Sequence, residues 1–128
     1  MKRWFLFGLG VFNLLIFAVL MALFGPPDHL RQVGWMAGFA VGGLLFIFAG
    51  LRDSLAIGSK SIEWHGITGI GYICFGIGML AMTAPRPGGS REALFFDVFA
   101  MVTMVSMMLF LGVDFIRGGV HLDISKWN

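Results

Sequence analysis

Four apolar stretches, at about 4–24, 33–51, 65–83 and 94–116, take up most of this chain, and each is long enough to cross a bilayer at 1.5 Å of rise per residue. Nothing else in the sequence constrains the fold as strongly. Of 128 residues, 58% are hydrophobic and only 12% charged, where a soluble domain carries about a quarter charged. Too few polar residues are present to clothe a soluble core, so lipid takes the place of water. The connectors GPPDHLRQ, RDSLAIGSKSIEWH and TAPRPGGSRE are short, which makes sequential helices antiparallel neighbours. Pro26 and Pro27 stop the first hairpin, and Pro85, Pro87, Gly88 and Gly89 stiffen the third connector. The expected fold is all-α, a four-transmembrane-helix bundle forming one integral membrane domain over residues 1–128.

The first stretch follows Lys2 and Arg3 as a signal peptide would, but its apolar run of about 20 residues exceeds a signal h-region of about 7–15, and no A-x-A site closes it. It is expected to stay as the first helix. Lys2, Arg3, Arg52, Lys60, Arg117 and Lys126 fall on one side of the expected layout, and Arg31, Arg86 and Arg91 on the other. Six against three places both termini in the cytoplasm by the positive-inside rule. Trp4, Trp35 and Trp64 open the first three spans, where amphipathic indoles favour the headgroup level, and Trp127 lies in the tail.

Within the second span, GWMAGFAVGGLLFIFAG, Gly34, Gly38 and Gly42 recur one helical turn apart. That spacing stacks three bare backbone surfaces on one face, the pattern through which membrane helices approach closely. The third span adds Gly69 and Gly76, seven residues apart, beside Gly71 and Gly78. These glycines predict helix packing, either inside the chain or against a second copy. A shift of 60 residues pairs Trp4 with Trp64, Pro27 with Pro87 and Arg31 with Arg91, which suggests two parallel hairpin repeats.

Chemistry inside the spans is sparse. Asn13, near the middle of the first, fits interhelical polar glue, and the hydroxyl of Tyr72 should find a partner on another helix. Asp97 lies about one turn inside the fourth span, where an ionisable group is by default a functional hypothesis. Met101, Met104 and Met108 share its face, and Thr103 and Ser106 lie opposite. Asn13, Tyr72, Asp97 and Thr103 together make a candidate intramembrane polar site, provided the fold gathers them. Asp114 and Arg117, three apart at the inner boundary, are expected to pair with each other.

No cofactor or metal is expected. The methionines of the fourth span are unaccompanied by His or Cys, and Met fills irregular apolar gaps. His29, His65 and His121 sit at span mouths or beyond them, not face to face as a transmembrane haem would need. A single cysteine, Cys74, excludes an internal disulfide and a CxxC motif. The net charge of +2 gives no case for nucleic acid.

With no nucleophile or phosphate-loop motif and little room in the connectors, an enzyme is not expected. The leading expectation is a non-catalytic protein of the plasma membrane (the inner membrane in a bacterium). It would act by helix–helix association as an accessory, scaffold or protective subunit, with the lipid bilayer and either a second copy or another membrane protein as partners. The alternative is a small oligomeric transporter or channel using the four polar residues.

Overall fold

The structure, a computed structural model, describes residues 3–85 and 88–122; Lys2, Arg86, Lys126 and Trp127 lie outside the described residues. It contains four helices, α1 (Trp4–Phe24), α2 (Leu30–Leu51), α3 (Trp64–Thr83) and α4 (Arg91–Ile116), with strands β1 (Ser54–Ile57) and β2 (Lys60–Glu63) between α2 and α3. All four helices are long and apolar enough to cross a membrane.

Their ends follow from local chemistry. Gly25, at a φ of 74°, and the two prolines after it end α1. The Ser90 side chain accepts a 3.1 Å hydrogen bond from the amide of Ala93 and so caps α4, with Glu92 in the first turn complementing the helix dipole. Hence α4 starts three residues before its apolar run, and α2 likewise starts at Leu30.

The second connector is not irregular. Ser54–Ile57 and Lys60–Glu63 pair antiparallel, with Leu55 opposite Ile62, around the two-residue turn Gly58–Ser59. Gly58 sits at a φ of 62°, as the first central residue of such a hairpin turn requires. Leu55 and Ile62 point the same way and pack onto the helices beneath.

The helices pack in chain order, α1 on α2, α2 on α3 and α3 on α4, and the two outer helices share no comparable interface. The arrangement is a row that draws together only at the hairpin end. There Leu6, Ala49, Trp64, Ile67 and Phe115, contributed by all four helices, form a buried cluster. Trp64 is 4% exposed, so it belongs to this core and not to a lipid-facing belt: Arg3 lies over its ring, 5.4 Å from the centroid. Trp4, in contrast, is exposed.

Close backbone approach makes the row possible. A Cβ on Gly38 would fall 2.6 Å from the Cα of Gly78 and 2.7 Å from the carbonyl of Cys74, so α2 and α3 touch backbone to backbone. The same kind of contact joins the other pairs in near-identical form. A Cβ on Gly10 would meet the Gly43 carbonyl at 2.5 Å and Ile47 at 2.7 Å; one on Gly69 would meet the Gly112 carbonyl at 2.5 Å and Ile116 at 2.6 Å. The hairpins α1–α2 and α3–α4 therefore repeat the same contact, with an offset of 59 from Gly10 to Gly69 and of 69 from Gly43 to Gly112. A uniform shift of 60 does not describe that relationship, because the second helix of each pair is displaced by ten further residues.

Candidate functional site

Polar side chains concentrate at the helix ends, and three of them, Arg3, Arg31 and His65, serve the C-terminus of the next helix in the row. Arg3, just before α1, donates from Nη1 to the carbonyls of Arg52 (3.0 Å) and Ala49 (3.4 Å) at the end of α2, and pairs through Nη2 with Asp53. Arg31, in the first turn of α2, donates to the carbonyls of Met82 (2.8 Å) and Ala84 (2.5 Å) at the end of α3. His65, in the first turn of α3, places Nδ1 3.0 Å from the Phe115 carbonyl at the end of α4, and Nε2 2.8 Å from the Glu63 carboxylate. Antiparallel neighbours bring the start of one helix beside the end of the next. Each donor thus meets carbonyls at or just past the last turn of the neighbouring helix, at the negative end of its dipole.

The fourth helix ends differently. Gly118 and Gly119, at φ values of 82° and 74°, turn the chain back on itself. Asp114, 2% exposed, then accepts from the backbone N–H of His121 (2.9 Å) and Leu122 (3.0 Å) and from the His121 ring (2.8 Å). The expected Asp114–Arg117 pair is not formed, because Asp114 turns inward onto these donors while Arg117 stays exposed.

The four residues of the candidate polar site are not gathered. Asn13 is buried against Gly43 of α2, and its Nδ2 donates 2.9 Å back to the Leu9 carbonyl of its own helix. Tyr72 packs between the rings of Phe46 and Phe115, at centroid distances of 4.9 and 5.6 Å, and its hydroxyl makes no hydrogen bond among the described residues. Asp97 is half-buried on the α3-facing side of α4, and the contacts of Gly69 with Gly112 and of Gly76 with Met108 carry it to the level of the α3 C-terminus. Thr103 is exposed. Asn13 and Thr103 lie on the two outer helices of the row, so a pathway lined by all four does not form within one chain.

Gly34, Gly38 and Gly42 face α3, against Ala81, Gly78 and the Gly71 carbonyl; Gly69 and Gly76 face α4, against Gly112 and Met108. Both sets of glycines are occupied by helices of the same chain.

At the end opposite the hairpin, a groove of about 670 Å³ is lined by Leu20, Phe24, Trp35 and Met82 below and by Asp28, His29, Arg31 and Gln32 above. In its polar rim Asp28 pairs with His29, and Arg31 serves α3. Among the described residues no three His, Cys, Asp or Glu side chains gather as a metal site would need.

The chain belongs to DUF7994, a family of unknown function whose model matches residues 1–127. Comparison with curated proteins finds no match, and comparison with solved structures finds none. For this DUF7994 member, the capping residues Arg3, Arg31 and His65 and the Asp114–His121 contact are the polar features that hydropathy alone passes over. Their signals in the sequence were modest: a basic or imidazole side chain at the start of a span, and Gly-Gly just after the last one.

Proposed function

We propose that the protein is a non-catalytic, multi-pass component of the plasma membrane (the inner membrane in a bacterium), with both termini in the cytoplasm, that acts by lateral association with a second copy or another membrane protein. One observation carries this reading. The row of helices ends in α4, and no residue of its most apolar window is fully buried, so the side of α4 turned away from α3 is open to partners beyond the chain. The polar groups elsewhere support it, since Arg3, Arg31, His65 and Asp114 are engaged in holding helix ends. The transport alternative draws no support from Asn13, Tyr72, Asp97 and Thr103, which lie apart.

Mass determination on complexes extracted from membranes in native lipid tests the proposal. An assembly of more than one chain, homomeric or heteromeric, is the expected result. A single chain with no associated protein, at membrane-like protein density, would overturn it.

A further inference from the structure

We infer that the groove where α1, α2 and α3 meet is a binding site for one phospholipid whose headgroup carries a primary ammonium. The inference rests on the membrane placement proposed above and not on lateral association.

The polarity of the groove follows depth. Its floor is built from the end of α1 (Leu20 and Phe24), the second turn of α2 (Trp35) and the last turn of α3 (Met82). Its rim comes from the connector and the first turn of α2. With antiparallel spans, these three helix ends share one surface of the bilayer. The apolar lining then lies on the hydrocarbon side and the polar lining at the headgroups. The volume of about 670 Å³ lies within the ~300–1,000 Å³ common for small-molecule sites. A water-soluble ligand would leave the floor uncovered, and a hydrocarbon would leave the rim unmatched. An amphiphile fits both.

The unused polar atoms of the rim select the headgroup. Both hydrogen bonds of Arg31 leave from Nη2, so Nε and Nη1 are left over, and among the described residues no carboxylate pairs with this guanidinium. Gln32 uses its Oε1, which accepts from the Asp28 amide at 3.3 Å. Its Nε2 and the indole N–H of Trp35 make no hydrogen bond among the described residues. All three side chains are half-buried and all three offer donors, so their complement is an oxyanion, and a guanidinium matches phosphate well. Asp28 adds a second requirement. Among the described residues its carboxylate pairs only with the adjacent His29, so it repels a headgroup of net negative charge and can accept an ammonium. A quaternary ammonium has no N–H to donate, whereas a primary one has three. Phosphate and primary ammonium together answer both sides of the rim.

The test titrates the full chain in detergent with phosphatidylethanolamine, phosphatidylcholine and phosphatidylglycerol of identical acyl chains, counting bound lipid by native mass spectrometry. The first should bind about two- to fivefold more tightly than the others, the scale of one exposed ion pair. Asp28→Asn should erase that preference. Gln32→Glu, which leaves the Arg31 contacts with α3 in place, should weaken all three lipids, and so should Leu20→Trp, which fills the floor. Equal affinity for the three headgroups, a preference for another one, or a preference that survives Asp28→Asn would overturn the site while leaving the membrane placement intact. That placement is read separately: a chain released from membranes by alkaline carbonate overturns it, and the lipid site with it.

Discussion

Gly38 of α2 and Gly78 of α3 stand backbone to backbone: a Cβ on Gly38 would lie 2.6 Å from the Gly78 Cα. No side chain rotation can relieve a clash with backbone, so even a methyl group must push the helices apart. Gly38→Ala is expected to cost about 1–3 kcal/mol of stability, the usual scale of overpacking, and Gly38→Ile considerably more. Thermal unfolding in detergent measures this. Both variants should insert normally and lose stability, because the contact they break is internal to the chain.

Gly10 and Gly69 occupy equivalent places in the two hairpins, each against a glycine carbonyl and an isoleucine of the next helix. Gly10→Ala and Gly69→Ala should therefore destabilise by similar amounts, on the order of 1–3 kcal/mol each. Gly8, which has nothing within 4 Å of its Cβ position, is the control. Gly8→Ala should be neutral or slightly stabilising through helix propensity.

Asp114 is buried with three hydrogen bonds from His121 and Leu122. Asp114→Ala should release the segment after Ile116, because it removes the acceptor that holds the His121 and Leu122 amides. Limited proteolysis reads it directly: cleavage after Ile116 should accelerate in the variant, with the helices themselves still protected.

Arg31 closes the end of α3 through Met82 and Ala84. Arg31→Gln should fray the last turn of α3 and raise amide exchange there, for a stability loss of about 1 kcal/mol. Exchange in α4 should not change, since its C-terminus depends on His65 and Asp114.

The four helices were legible because each is a run of about 20 apolar residues, the length and composition that could cross a membrane. Their ends were less so: the capped start of α4 at Ser90 uses polar residues that hydropathy excludes. The β-hairpin was within reach, since Leu55 and Ile57 alternate with polar or small residues ahead of a Gly-Ser turn. Asn13, Tyr72, Asp97 and Thr103 show the harder limit. Periodicity assigns each to a helix face, but which helix lies opposite depends on the order of the row, and the row sets α1 apart from α4. The Asp114–His121 contact depends on a chain reversal at Gly118 and Gly119, so a local spacing rule favoured Arg117 instead.

If the chain works by lateral contact in a membrane, α4, whose most apolar window has no fully buried residue, is the helix left to make it. Pulsed electron–electron distance measurement in lipid nanodiscs tests this most directly, using spin labels at position 103 of α4 or at position 15 of α1. The intermolecular distance between the labels on α4 should be well defined and shorter than that between the labels on α1. A shorter distance between the α1 labels, or no intermolecular coupling at either position, would contradict it.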